Sequence, residues 1–322
     1  MKRPVIQFAL NDYCSHRCWY CISAPTWEGS KTGYIDKIGL DKYFDFLMGF
    51  TQGHTCTFRF GGQEPTEHPL FYPLLLKLLA TEHYIEVITN GLKLEDILTD
   101  EIIQYKNKIK WEMSYHLGMY IFDYSSSRED KWNGSFIKAV KCGSVQLVIP
   151  MTPGLLRDEL NLDDLFNTLR DAGDVTFELI EFYYKDYPRA YTQEEKQRWF
   201  ELRNEYQEPI SMEEIESIIN INRVMYLKGM PCYYMNRIVN IMYDGSTRLC
   251  GAGFPPKIGA GFKIKNHASP CDYDSCNCIS LGYENCLKPL GMNYTDYLLL
   301  NRPEIKKTFL KKAMVTIKKH GL

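Results

Sequence analysis

From residue 5 to about 182, short β-rich apolar runs alternate with segments whose apolar positions recur at helical spacing. The strand-like runs are VIQFAL (5–10), CTFRFGG (56–62), YIEVITNG (84–91), KIKWEMSYH (108–116), SVQLVIP (144–150) and VTFELIEF (175–182). Between them, Leu40, Tyr43, Phe44, Leu47 and Met48 share one helical face, as do Leu70, Leu74, Leu75, Leu78 and Leu79. A later segment carries Leu165, Phe166 and Leu169, with Gly173 where a helix C-terminus is expected. Strands that alternate with helices make parallel βαβ units. Two architectures satisfy this pattern, a doubly wound sheet and an incomplete parallel barrel, and both gather chemistry at the C-terminal ends of the strands.

After residue 182 the alternation stops. Thr192 with Glu195, and Ser211 with Glu214, are capping-box pairs that open two helices and carry the chain to about residue 228. The following region, rich in Gly, Pro, Asn, Asp and Tyr, holds one hairpin candidate, RIVNIMYDGSTRLC, with Asp244-Gly245 as its turn. The last stretch, RPEIKKTFLKKAMVTIKKHG, predicts a basic helix with Ile305, Phe309, Leu310, Ala313 and Ile317 on one side, best read as a solvated face over an apolar underside.

Composition narrows the function classes. The chain has 322 residues and a formal charge of -2, which gives no global electrostatic reason to bind nucleic acid or an anionic membrane. It lacks a run of about 18 apolar residues, and the start MKRPVIQFALNDY has too short an apolar core for a secretory signal. A cytoplasmic protein is expected. Its 11 cysteines then suit metal binding or redox chemistry better than disulfides. They fall into two groups, Cys14, Cys18 and Cys21 at the front and Cys232, Cys250, Cys271, Cys276, Cys278 and Cys286 in the last third, which suggests two metal centres. Cys56 and Cys142 stand alone and read as small buried hydrophobes.

The front group lies in CSHRCWYC, just after the first strand. Three thiolates suit an iron–sulfur cluster that keeps one iron open to a ligand. A zinc site completed by His16 or a distant ligand is the alternative on the triplet by itself. The loop, with Tyr20 directly before the last cysteine, resembles the hallmark loop of the radical S-adenosylmethionine (radical SAM) superfamily. At the end of the second strand, Gly61, Gly62, Glu64 and Pro65 of FRFGGQEPTEHP resemble that family's Gly-Gly-x-Glu-Pro motif, which holds the amino group of the methionine portion of SAM. Thr89-Asn90-Gly91 resembles its frequent third-strand ending.

The resemblance covers roughly residues 5 to 182. It implies a partial (β/α)6 barrel over residues 1–190, a [4Fe-4S] cluster held by Cys14, Cys18 and Cys21, and SAM bound at its open iron. SAM contacts are expected from Tyr20, Gly61, Gly62, Glu64, Pro65 and Asn90, from Ser114 on the fourth strand, and from Val148, or Ile149, against adenine on the fifth. His116 is a candidate for substrate contact or a structural role. Lys138 and Arg59 could meet the SAM carboxylate, although surface or ion-pair roles suit them better. Reductive cleavage of SAM would give a 5′-deoxyadenosyl radical that takes a hydrogen atom from substrate.

Beyond a helical connection over 191–230, Cys232 and Cys250 flank the hairpin in a C-x12-G-x4-C arrangement similar to the entry of SPASM and twitch auxiliary-cluster domains. The downstream CDYDSCNCISLGYENC departs from the SPASM spacing. The expectation for 231–290 is therefore one auxiliary [4Fe-4S] cluster held by Cys232, Cys250 and two of Cys271, Cys276, Cys278 and Cys286; two clusters or a zinc site are the alternatives. Residues 291–322 form the terminal helix. The barrel begins at residue 5, leaving no room before it for a leader-peptide recognition domain, so a small molecule or a peptide delivered without a fused adaptor is expected as substrate. A flavodoxin or ferredoxin is the expected reductant. Oxidation of substrate, redox-neutral epimerisation or cross-linking, and a non-catalytic zinc-binding interaction protein are the competing outcomes.

Overall fold

The computed structural model describes residues 3–16, 18, 29–115, 126–157, 162–181, 191–207, 209–212, 215, 231–232, 238–248, 264 and 269–270. Within them the alternation read from sequence is realised. In chain order the elements are β1 (Val5–Ala9), α1 (Tyr34–Ile38), α2 (Leu40–Gly49), β2 (Thr57–Gly61), α3 (Phe71–Leu79), β3 (Tyr84–Thr89), α4 (Leu94–Ile97), β4 (Ile109–Ser114), α5 (Ser126–Cys142), β5 (Ser144–Met151), α6 (Pro153–Leu156), α7 (Leu162–Asp171), β6 (Val175–Glu181) and α8 (Gln193–Tyr206). Four short strands follow: β7 (Pro231–Cys232), β8 (Ile238–Ile241), β9 (Thr247–Arg248) and β10 (Ser269–Pro270).

The sheet order β6-β5-β4-β3-β2-β1 decides between the two architectures. Each strand lies parallel to its sequence neighbour, and the order never reverses. Right-handed crossovers between such neighbours put every connecting helix on one side. A doubly wound sheet needs a reversal; this one has the winding of a barrel that does not close. The alternation of side chains follows from that. Ile6, Phe8, Phe58, Phe60, Val87 and Trp111 point to the helix side and are essentially inaccessible, each large apolar side chain contributing roughly 1.5–3 kcal/mol by burial.

Two features lay beyond the sequence reading. The hairpin exists as expected, with β8 antiparallel to β9, but β8 also pairs in parallel with β1. The sheet thus gains a seventh parallel strand from the segment between Cys232 and Cys250. Tyr34 N–H donates to Tyr243 O across 2.6 Å, fastening α1 to the hairpin turn. Gly245 serves that turn twice over, through φ +85 and because a Cβ there would lie 2.6 Å from the Tyr34 ring.

The first capping box is present: Glu195 N–H donates to Thr192 Oγ1 at 3.2 Å and Thr192 N–H to Glu195 Oε2 at 2.8 Å. Of the second, Ile215 N–H reaches Ser211 O at 3.1 Å, while Glu214 lies outside the described residues. The basic C-terminal helix lies outside them too. Among the described residues, no helix is long and apolar enough to cross a membrane.

Candidate functional site

Three sequence motifs, far apart along the chain, meet at the C-terminal ends of β1, β2 and β3. The hub is Glu64, whose side chain is buried. Its Oε1 accepts from Thr66 N–H at 3.2 Å, Thr66 Oγ1 at 2.6 Å and Thr89 Oγ1 at 2.7 Å, and its Oε2 accepts from Asn90 N–H at 2.6 Å. Its backbone is tied as well. Glu64 N–H donates to Tyr13 O at 3.2 Å, and Asn11 Nδ2 donates to Glu64 O at 3.0 Å. Burial pushes the Glu64 carboxyl up, and hydrogen bonds from Asn90 and the two threonines offset part of that shift. A carboxylate so fully engaged orders the loops around it; the contacts left for a ligand come from neighbouring backbone.

Gly62 is that neighbour. It has φ +93 and is exposed, and a Cβ there would lie 2.6 Å from Ala9 Cβ. Only glycine lets the end of β2 turn this close to the end of β1. Pro65 opens the 3-10 turn Pro65–Glu67 behind it, with Glu64 as its cap. Four further hydrogen bonds surround that turn. Ser15, through both N–H and hydroxyl, donates to Glu67 Oε1. His68 Nδ1 accepts from Leu70 N–H at 3.1 Å, so its proton sits on Nε2, 2.9 Å from Asp36 Oδ2. Burial raises the Asp36 carboxyl, but hydrogen bonds from Gly33 N–H and His68 hold it below its usual value.

The cysteine loop sits over this hub. Asn90 Nδ2 donates to Cys14 Sγ at 3.7 Å, and Asn90 Oδ1 accepts from Leu92 N–H at 2.9 Å. Burial, reinforced by the Glu64 charge, pushes the Cys14 thiol up to about 12. A thiol in such a place ionises when a cationic metal takes it as ligand. Cys18, four residues further along the chain, is also a buried free thiol, while Tyr20 and Cys21 lie outside the described residues. Sulfur donors at a strand mouth, next to an amide donor and an exposed glycine backbone, fit an iron–sulfur group and a ligand approaching it.

Of the other expected contacts, Ser114 and Val148 are register partners on the face away from the helices, both half-buried. Ile149 points the other way and is inaccessible, leaving Val148 as the side chain on the open face. His116 lies outside the described residues. Arg59 forms an ion pair with Glu86 at 2.6 Å, and Lys138 donates to Glu95 O. Cys56 and Cys142 are free and buried, as lone small hydrophobes should be. Cys232 contributes backbone to β7, opposite Ser269 of β10. Cys250, Cys271, Cys276, Cys278 and Cys286 lie outside the described residues.

Sequence reasoning missed Asn11 and Thr66 as supports of the hub, since neither belongs to a motif. It also missed a row of polar side chains on the open sheet face, whose signal was the strict alternation in KIKWEMS.

No protein-family model matches the chain, and no curated protein matches it. Solved structures do. Streptococcus suis SuiB bound to precursor peptide SuiA aligns with a TM-score of 0.52 at 13% identity, over 77% of this chain and 60% of that one. The chain carries the fold of SuiB. SuiB bound to S-adenosylmethionine aligns with a TM-score of 0.50 at 12% identity, over 91% of this chain and 64% of that one. In both alignments this chain spans less than two thirds of the SuiB length.

Proposed function

We propose that this chain is a radical SAM enzyme whose cluster is held by Cys14, Cys18 and Cys21. The observation that carries this reading is the convergence on Glu64: Tyr13 and Asn11 of the cysteine loop, Thr66 of the Gly-Gly-Gln-Glu-Pro loop, and Thr89 and Asn90 of the third strand all bond to that one residue. A zinc knuckle has no use for such a hub or for an exposed glycine beside it. The fold shared with SuiB supports the same reading.

When bound, the cluster supplies the electron that cleaves SAM to methionine and a 5′-deoxyadenosyl radical, which takes a hydrogen atom from substrate. The residues of this chain hold and orient. Gly61 and Gly62 offer backbone to the amino group of SAM, Ser114 faces its carboxylate or ribose, and Val148 gives an apolar wall to adenine. Asn90 steadies the Cys14 sulfur. Glu64 and Pro65 fix the loop that presents the glycines. The packed helix side keeps water from one face of the sheet.

Cys232, Cys250 and two of Cys271, Cys276, Cys278 and Cys286 would hold one auxiliary [4Fe-4S] cluster, which would supply an electron acceptor for oxidation of a small molecule or of a peptide side chain. The crystallisation of SuiB with a precursor peptide supports a substrate of that range. A flavodoxin or ferredoxin delivers the first electron.

An anaerobic iron and sulfide count on reconstituted protein tests this, beside the triple alanine variant of Cys14, Cys18 and Cys21. About eight irons falling to about four, with loss of 5′-deoxyadenosine, is the expected result. Persisting 5′-deoxyadenosine in the variant overturns the assignment. For the auxiliary cluster, Cys250→Ala should keep uncoupled SAM cleavage and lose product.

A further inference from the structure

The winding of the sheet leaves one face without helices among the described residues, and that face is polar. Asn240, Gln7, Arg59, Glu86 and Lys110 stand in one continuous register row from β8 to β4. One tier nearer the strand ends, Glu112 stands beside Gln146 and Thr176, and the tier above holds Ser114, Val148 and Glu178. The interior of a closed parallel barrel is filled by branched apolar side chains. These long polar side chains are not a packed core, since the Arg59 side chain is 21% exposed and that of Lys110 40%.

A ladder of contacts crosses the face. Arg59 Nε meets Glu86 Oε2 at 2.6 Å, Lys110 Nζ lies 3.4 Å from Glu86 Oε1 and also donates to Gln146, and Gln146 Nε2 donates to Glu178 Oε2 at 2.6 Å. Glu112 is the member that none of these hydrogen bonds reaches. The charged groups around it are Arg59 on β2, Glu86 on β3, Lys110 on its own strand and Glu178 on β6, with Arg203 of α8 acting on Glu178 from the edge. Fully ionised, Glu112 and those four neighbours comprise three carboxylates and two cations. Arg203 serves Glu178 at the edge, so among the described residues Glu112 is the carboxylate that the ladder's hydrogen bonds leave out.

We propose that this open face is the floor of the substrate site, and that Glu112 receives a cationic group of the substrate, an ammonium or a guanidinium. The face lies directly below the strand ends that carry the cysteine loop, so calling its occupant the substrate rests on the radical SAM reading. A ligand cation supplies the positive charge and the N–H donors that the ladder leaves Glu112 without. In its absence a proton serves: burial, with the neighbouring Glu86, pushes the Glu112 carboxyl up to about 7. Binding a cation near neutral pH therefore expels protons from this site.

The test uses the full reconstituted protein and three probes, the N-acetyl N-methylamides of lysine, arginine and norleucine. Their binding is followed by calorimetry at pH 7 in two buffers of different ionisation enthalpy. A charge-assisted hydrogen bond is worth enough for one of the two cationic probes to bind at least about tenfold tighter than norleucine. Wild type should release a measurable fraction of a proton per probe bound, since burial and Glu86 raise the Glu112 carboxyl toward neutral pH. Both the preference and the proton release should vanish in Glu112→Gln. Equal or absent binding of all three probes, binding without proton release in wild type, or a preference that survives Glu112→Gln overturns the proposal. The wild-type proton release needs no variant to fold. Iron content and SAM binding on the same samples separate the two readings: cluster and SAM without a cation preference sink the cation site alone, and a cation preference without a cluster sinks the radical SAM reading alone.

Discussion

Asn90 Nδ2 lies 3.7 Å from Cys14 Sγ, so the end of the third strand reaches the first cysteine of the triplet across 76 residues of sequence. An N–H donated to a ligating sulfur lowers the cost of adding an electron to the cluster, and such hydrogen bonds help set the potential of iron–sulfur centres. In Asn90→Ala the reduction potential of the reconstituted cluster should fall by on the order of 40 mV, the equivalent of a hydrogen bond worth about 1 kcal/mol. Asn90→Asp keeps the acceptor for Leu92 N–H but adds negative charge, and should fall further. An EPR-monitored redox titration reads both. An unchanged potential in both variants would mean that the amide contact does not persist with the cluster in place.

Glu64 is a second point of leverage. Truncation to alanine leaves the N–H groups of Thr66 and Asn90 and the hydroxyls of Thr66 and Thr89 without their acceptor. A buried donor left without an acceptor costs roughly 1–3 kcal/mol, so Glu64→Ala should lose at least about 3 kcal/mol in denaturant unfolding of the cluster-free protein. Glu64→Gln keeps one acceptor oxygen but turns an amide NH2 toward donors, and should fall between the two. Wild-type stability in Glu64→Ala would show that these loops are not energetically coupled.

The close approach of β1 and β2 gives a prediction by double variant. Gly62→Ala introduces a methyl 2.6 Å from Ala9 Cβ, at a backbone φ of +93 that alanine resists. Overpacking costs typically about 1–3 kcal/mol and the backbone term about 1–2 more. Ala9→Gly removes the atom that the new methyl meets. The double variant should therefore recover the steric part and keep the backbone part, a coupling above about 0.5 kcal/mol in a thermodynamic cycle. Strict additivity would place the whole effect in the backbone.

The fold was legible because its signals are local. VIQFAL, CTFRFGG and KIKWEMSYH each announce a strand whose observed bounds differ from the sequence reading by one or two residues, and Thr192 with Glu195 fixed the start of α8. The choice between barrel and doubly wound sheet was not local, since it depends on strand order. The pairing of β8 with β1 joins residues more than 200 positions apart, and nothing within IVNI says which strand it will meet. At the site, the glycines and cysteines could be read from their spacing, but the role of Glu64 could not. A carboxylate that caps its own loop and one that grips a ligand have the same letter, and only the four donors around it tell them apart. Glu112 was hidden for a related reason. The alternation in KIKWEMS shows that it faces away from Trp111, but which charges gather there depends on the register of four other strands.

Glu112 also makes stability depend on pH. Its carboxyl is raised from 4.5 to about 7, mainly by burial and then by Glu86, so between those values the folded state binds more protons than the unfolded one. Stability therefore falls as pH rises through that window, with the full effect reached above about pH 7 and none of it present below about 4.5. Glu112→Gln cannot ionise and removes this slope. Relative to wild type, the variant should gain stability progressively from pH 5 to pH 7.5, levelling at no more than about 2 kcal/mol once partial exposure is allowed for. Urea midpoints across that range measure it in cluster-free protein without added ligand. A constant offset between variant and wild type at every pH would mean that Glu112 ionises as freely as an exposed carboxylate, and that the open sheet face has no charge waiting to be matched.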